Sequence, residues 1–572
     1  MFETEPVDCS GPARRWGVSP LIAQLLINRG IAPEGSPHDF LEPRLTDLLP
    51  PEQLGGAVQA AERIAGAVRD KQRIVLYGDY DVDGTTGVAI LWHMLTALDA
   101  HVAYYVPHRV DEGYGLNLEA VRKLADGGAQ LIVSIDCGIT AVEVAEDLAR
   151  RGVSLIITDH HQPPDELPPA EAIVHPTVGE PCPNRDLCGA GVAFKLAWAI
   201  AQQFSKTDRV APKFQALLMD LLPLAAMGTI ADVVSLTGEN RIIAKHGLGG
   251  LRRTPFAGLV ALIQQAGLGS GPISGYDVGF KLGPRINAAG RMGHARLAIE
   301  LLTDASASRA KEIALYLDDH NRTRQSTERK ITKQVHERIE KEGLAGDARR
   351  AIVIADKGWH SGVLGIVASR LVDRYHRPAI VISLDGKRGQ GSGRSIKHFD
   401  MQDALSGCAE HLLSFGGHKM AGGLRIESSN VGAFTEAFVA LAGRRLTGED
   451  MVPKLRLDAE ASLDQLDMET ASLISGLGPF GPGNPKPALA SHWLDLAEEP
   501  RCIGRSGDHL AAVFRENGTQ IRGVGFGLAS AIEDLKHHRR CRVAFEPTIN
   551  EFRGRRTVEM HILDLKFPEA IE

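Results

Sequence analysis

From residue 73 the chain alternates short apolar runs with amphipathic stretches. The runs 73–77, 101–106, 131–135 and 154–157 are rich in Val, Ile and Tyr and predict strands, while 85–98, 117–126 and 140–151 carry helical spacing. Alternation of this kind predicts an α/β lobe on a parallel sheet, and such sheets bind ligands beyond the carboxyl ends of their strands. Further on, 306–342 holds neither Gly nor Pro, repeats Ile331, Val335 and Ile339 at four-residue spacing, and stops at Gly343. It predicts a long helix, roughly 55 Å if continuous at 1.5 Å per residue, joining two lobes. The second lobe opens with a strand at 351–355, a helix over 362–374 and a strand at 379–384. Short β-like runs at 510–514, 520–526, 542–545 and 558–563 predict a small β domain. Residues 1–60 read as a mostly helical extension with no assignable chemistry. The expected organisation is therefore the extension 1–60, an α/β lobe 61–305, a connecting helix 306–343, a smaller α/β lobe 344–450 and a β domain 451–572.

A length of 572 residues fits several cores, and 44% apolar content describes an ordinary globular chain. No apolar run reaches the length of a membrane span, and Met1-Phe2-Glu3-Thr4-Glu5 lacks the basic and apolar regions of a signal peptide. Seven scattered cysteines argue for free thiols in a reducing cytosol, so a cytoplasmic location is expected. Cys182 and Cys188 have no second pair to complete a zinc site and read as structural. With a net charge of −7, any nucleic-acid binding must come from local basic surface. The C-terminal segment offers such surface in Lys536-His537-His538-Arg539-Arg540, Arg542, Arg553, Arg555 and Arg556.

The unusual polar residues fall at the predicted carboxyl edge. Gly78-Asp79-Tyr80-Asp81-Val82-Asp83-Gly84 follows the first strand and places three carboxylates at alternate positions. Two such charges roughly 5 Å apart repel by about 3 kcal/mol at an effective dielectric near 20, so cations are expected to hold them. An EF-hand loop would need Glu where Ile90 stands. His108 and Arg109 follow the second strand, Asp136 the third, and Thr158-Asp159-His160-His161 the fourth. Asp232 is embedded in the apolar run 221–234, where a lone carboxylate is costly unless paired or metal-bound. Carboxylates with one or two imidazoles and no thiolate suit Mn²⁺ or Mg²⁺, and Asp136 is placed to bridge two ions about 4 Å apart. These residues point to a two-metal phosphoesterase.

Asp159-His160-His161 resembles the signature triplet of the DHH phosphoesterases, and the segments 78–84, 134–138 and 228–234 resemble the family's other acidic motifs. The motifs Leu282-Gly283-Pro284-Arg285-Ile286-Asn287-Ala288-Ala289-Gly290-Arg291-Met292, 358–368, 416–423 and Phe480-Gly481-Pro482-Gly483-Asn484-Pro485 are similar to those of the family's bacterial single-strand-specific 5′→3′ DNA exonucleases. The resemblance implies a parallel-sheet DHH domain, a long helix, a smaller α/β DHH-associated domain and a C-terminal OB-like barrel. It implies Asp81, Asp83, Asp136, His160 and Asp232 as ligands of two Mn²⁺ or Mg²⁺ ions. Asp79 would be a further ligand or would orient the others, and His161 would face the scissile phosphate. Tyr77 stands where related pyrophosphatases place a ligand histidine. Arg109, Arg285, Ser392, Arg394, Gly417 and His418 would hold DNA phosphates, with Gly389-Gln390-Gly391-Ser392-Gly393-Arg394-Ser395 expected as a glycine-rich turn. A narrow cleft between the lobes would admit single strands. The family also implies association with a single-strand-binding protein and a RecQ-type helicase. The alternatives are a DHH hydrolase of short oligoribonucleotides and a catalytically inactive DNA-binding scaffold.

Overall fold

The computed structural model describes residues 8–107, 115–179, 182–205, 209–291, 294–346 and 349–568. In the first lobe β1 (Ile74–Gly78), β2 (Val102–Tyr105), β3 (Leu131–Ile135), β4 (Ser154–Thr158) and β5 (Ala172–Val174) form an all-parallel sheet in the order β2-β1-β3-β4-β5. Every residue of β1 and β3 is buried, which is why these strands read as unbroken apolar runs. Helices Leu118–Asp126 and Val142–Arg150 cover one face, and Val82–Thr96 packs with Gly189–Gln203 on the other. The three-residue β5 was not expected from the sequence.

Helix Val82–Thr96 begins earlier than the expected 85, because the Asp81 side chain accepts a hydrogen bond from Gly84 N at 3.0 Å and caps it. One described helix, Pro212–Ala231, is long and apolar enough by length and composition to cross a membrane, contrary to the reading of the apolar runs. It is 61% buried over its most apolar window and packs between Val82–Thr96 and Gly238–Gly250, so its hydropathy is spent on the core.

Ala307–Glu342 is one unbroken helix of 36 residues ending at Gly343 in the left-handed conformation (φ 63°). Ala310, Ile313, Ala314 and Leu317 are buried in the first lobe, whereas Ile331, Val335 and Ile339 enter the core of the second. A single rod therefore belongs to two cores. The second lobe carries β6 (Ile352–Lys357), β7 (Ala379–Asp385), β8 (Arg388–Arg394), β9 (Leu412–His418) and β10 (Ala421–Glu427) in the order β6-β7-β8-β10-β9.

The C-terminal strands are β11 (Ala459–Ala461), β12 (Leu489–Ser491), β13 (Leu494–Leu496), β14 (Arg501–Ile503), β15 (His509–Glu516), β16 (Thr519–Gly525), β17 (Arg540–Phe552) and β18 (Arg555–Lys566). Pairing runs from β17 through β13, β15, β16 and β18 back to β17 and closes a barrel. Phe514 and Phe545 fill it, while Phe526 and Phe552 stay exposed. The extension does not stand apart: Leu21, Ile22, Leu25 and Leu26 are buried in the barrel's core. Helix Ala57–Arg69 packs into the first lobe instead.

Candidate metal centre and substrate face

The carboxyl ends of β1, β3 and β4 bring Asp79, Asp81, Asp83, Asp136, His160 and His161 together, and the end of helix Pro212–Ala231 adds Asp232. Two trios of ligand atoms, each within 4.8 Å of one another, stand side by side: Asp79, Asp81 and Asp136, and Asp83, His160 and Asp232. Asp136 also groups with His160 and His161. His160 Nε2 lies 3.1 Å from Asp136 Oδ1, 3.6 Å from Asp232 Oδ2 and 3.7 Å from Asp83 Oδ2.

Backbone geometry fixes these groups. Asp83 accepts from Gly189 N at 2.6 Å and Ala190 N at 2.8 Å, the orphan donors at the positive end of helix Gly189–Gln203. Any Cβ at Gly189 would lie 2.6 Å from Asp136 Cβ. Asp136 itself holds φ 62°, a left-handed conformation uncommon outside glycine.

Burial, followed by Asp83, Asp81 and Asp79, pushes the Asp136 carboxyl well above the usual carboxylate range. Burial with Asp83 and Asp81 raises Asp232 to about 8, and burial with Asp83 also raises Asp81. Burial pushes the His160 pKa down, which favours the neutral imidazole, and its buried Nε2 makes no hydrogen bond among the described residues. Cys137 and Cys188 border the cluster, but burial raises both thiols well above their ordinary range, so no thiolate joins the donors. Hard oxygen donors with one neutral imidazole fit divalent Mn²⁺ or Mg²⁺, which would neutralise the crowded acids.

Asp159, which the sequence reading left without a role, is buried and fully used. Its carboxylate accepts from Ile139 N (2.9 Å), His160 N (2.8 Å), His161 N (3.2 Å) and His161 Nδ1 (2.7 Å). Burial opposes its charge, but the His161 bond and charge outweigh that and hold its pKa below the usual range. The same partner raises His161 despite burial. His175 is buried beneath, with Nε2 2.8 Å from His161 O. Asp159→Asn is expected to lower kcat about 10–100-fold, the usual cost of losing a group that orients a ligand or catalytic histidine. A pH–rate profile checks it, because the alkaline-side limb should move to lower pH as His161, whose pKa Asp159 holds up, loses its carboxylate.

Tyr77 faces away from the cluster: its hydroxyl donates to Gly115 O at 3.2 Å and accepts from Asn117 N at 3.1 Å. His108 and Arg109 lie outside the described residues. Arg285 is not presented as an open phosphate ligand, because it pairs with Asp318 Oδ1 (2.8 and 3.0 Å) and donates to Lys281 O at 2.7 Å. The rest of its motif supports the cluster. Asn287 Oδ1 accepts from Val82 N at 3.1 Å, and a Cβ at Gly290 would lie 2.8 Å from Tyr80 O.

The expected turn at 389–395 is strand β8. Gly389, Gly391 and Gly393 give space to Ile382, Leu384, Leu424, Ile426 and Met401, so tertiary packing overrides the poor strand propensity of glycine. The alternate positions Ser392 and Arg394 then point to the other face. Ala421 pairs with Arg394 on one side and His418 on the other, which puts those two side chains on that same face. Gly417 lies one residue out of that row, at φ 148° and with no room for a Cβ beside Ala421 O. Its need is backbone approach. Gly365, unread as functional, lies against the guanidinium: a Cβ there would be 2.8 Å from Arg394 Nη2 and 3.0 Å from Ser392 Oγ. A cavity of about 750 Å³ continues along the face beside Ser361, Arg388, Gln390 and Arg425, space enough for a nucleotide.

A parallel sheet whose carboxyl edge gathers five aspartates and two histidines for divalent cations defines a metal-dependent phosphoesterase of the DHH class. Comparison with known proteins narrows this. Residues 73–229 match the N-terminal domain of the DHH family, 349–443 the DHHA1 domain and 457–564 the RecJ OB domain. The single-stranded-DNA-specific exonuclease RecJ of Bacillus subtilis is 39% identical over 555 residues, covering 96% of this chain and 68% of that protein. Its counterpart in Escherichia coli is 34% identical over 567 residues and 96% of each chain. The crystal structure of RecJ from Thermus thermophilus in complex with Mn²⁺ superposes with a TM-score of 0.84 at 32% identity, covering 100% of this chain and 80% of that one. A Mg²⁺ complex of that protein matches at 0.78. The chain belongs to the RecJ family.

Proposed function

We propose that this protein is a single-stranded-DNA-specific exonuclease that degrades from the 5′ end and releases 5′-mononucleotides, using two Mn²⁺ or Mg²⁺ ions. The observation that carries the reading is a chain of contacts from the acids to the phosphate face. Tyr80, between Asp79 and Asp81, packs on Gly290. Arg291 Nη1 donates to Gly362 O at 2.9 Å, and Gly365 of the following helix touches Arg394. Substrate held by Ser392, Arg394 and His418 therefore meets the acids at a set separation.

Bound divalent cations would supply an activated water and absorb charge developing on the phosphate. Asp79, Asp81 and Asp136 would hold one, Asp83, His160 and Asp232 the other. His161, oriented by Asp159 through Nδ1, would present Nε2–H to a phosphate oxygen and neutralise charge building there. Action in repair and recombination, contact with a single-strand-binding protein and a RecQ-type helicase, and a cytoplasmic location belong to the same reading.

The test supplies Mn²⁺ and 5′-labelled single-stranded DNA, duplex DNA or a diribonucleotide. Labelled mononucleotide from the single strand alone is expected. Preference for the diribonucleotide would favour a small-oligonucleotide hydrolase, and no turnover of any substrate would favour an inactive scaffold.

A further inference from the structure

The motif Phe480-Gly481-Pro482-Gly483-Asn484-Pro485 lies in the C-terminal domain, yet it is seated on the segment that follows the metal-site residue Asp232. Leu236 N donates to Pro482 O at 2.8 Å. Gly483, at φ 73°, approaches so closely that a Cβ would lie 2.3 Å from Ser235 Oγ and 3.0 Å from Thr237 Cγ2. Gly481 lies against Leu236 in the same way, with a Cβ position 2.8 Å from Leu236 Cδ1. From the other side Asn240 Nδ2 holds Ser235 O at 3.0 Å.

The loop is itself locked. Asn484 is fully buried, its Nδ2 donating to Leu477 O and Pro479 O at 2.9 Å each. Its Oδ1 accepts from Arg29 Nε at 2.9 Å, and Arg29 Nη2 reaches Pro485 O at 2.8 Å. Arg241 ties the same junction together, donating to Gly478 O and Phe40 O at 2.9 Å each and stacking on Phe40. Parts of the extension and of the first lobe thus brace the loop, and the loop in turn sits on residues 235–237. Between this clamp and Asp232 stands Val233, exposed and in the left-handed region at φ 63°, a conformation strained for a β-branched residue that persists only where its surroundings impose it.

We propose that the 480–485 loop is a positioning element for Asp232: seating of the C-terminal domain sets the Asp83, His160 and Asp232 trio, and so the affinity of that one cation site. The inference rests on the two-cation reading of the cluster and goes beyond it, because it links domain docking to metal binding. Asp232 is the natural target, since it sits at a helix end with a partly exposed side chain, whereas Asp79, Asp83 and Asp136 are buried and Asp83 is fixed by backbone donors.

The experiment counts Mn²⁺ bound to the full chain by calorimetric titration, alongside thermal unfolding. In Gly483→Ala the added methyl meets Ser235, and one of the two Mn²⁺ affinities should fall about 10–100-fold, as for other groups that orient ligands, with the other unchanged. Adding Ser235→Gly to Gly483→Ala removes the nearest collision, though not the approach to Thr237 or the strain at φ 73°, and should recover part of the weakened site. Arg29→Lys, which keeps a cation beside Asp458 but gives up the fork that joins Asn484 and Pro485, should shift the same site in the same direction if Gly483→Ala does not fold. Unchanged Mn²⁺ binding with a lower Tm would overturn the proposal, leaving the loop a docking contact only. Equal loss at both sites, or no recovery in the double variant, would overturn it too. Wild-type protein binding no Mn²⁺ at all would instead refute the two-cation reading.

Discussion

Asp136→Asn should abolish Mn²⁺-dependent turnover of single-stranded DNA while leaving the chain folded, and should raise the Tm of the metal-free protein. Asp136 belongs to the Asp79–Asp81 trio and also groups with His160 and His161, so neutralising it weakens charge compensation for both cations. Several kcal/mol of transition-state stabilisation, about 10³-fold or more in kcat, is the expected loss. Asparagine is the right replacement because the residue holds φ 62°, which Asn tolerates far better than Ala. The stability gain follows from the direction of the titration. A carboxyl whose folded pKa is raised destabilises the fold above its unfolded pKa, and Asp136 is raised by burial and by four neighbouring aspartates. Removing its charge relieves that cost at neutral pH. Calorimetry in chelator and kcat at saturating Mn²⁺ read the two effects separately; retained turnover would remove Asp136 from the reaction.

Arg394→Ala should raise KM about 10–100-fold with kcat changed by much less, because loss of a charged hydrogen bond to phosphate is worth about 1.5–3 kcal/mol and the reacting atoms lie elsewhere. The guanidinium is preset, with Nη1 donating to Ser392 Oγ at 3.1 Å and Gly393 O at 2.8 Å. Gly365 and the alternating glycines of β8 leave it on the open face. Arg394→Lys should recover only part of the affinity, since an ammonium cannot reproduce the planar fork. Steady-state kinetics on single-stranded DNA decides, and an unchanged KM would take Arg394 out of the substrate path.

The parallel sheet was legible because β1 and β3 are buried on both faces and so appear as continuous apolar runs. The cluster was legible because its acids sit at strand ends, where local order already converges them. What stayed hidden depends on partners distant in the chain. Asp159 reads as one more acid until Ile139 N, twenty residues away, is seen donating to it. The glycines of β8 read as a turn, since only the bulk of Ile382, Leu424 and Met401 makes small residues necessary there. Leu21 and Leu25 read as part of a separate extension, although their core lies in the C-terminal barrel. The pairing of Arg285 with Asp318 was hidden as well, because the long helix that supplies that aspartate is adjacent only in space.

The most direct measurement is anomalous diffraction at the manganese edge from crystals of this protein soaked in Mn²⁺. Two peaks are predicted, one coordinated by Asp79, Asp81 and Asp136 and the other by Asp83, His160 and Asp232. No peak at the carboxyl edge of the first sheet, or manganese bound away from these side chains, would contradict the account.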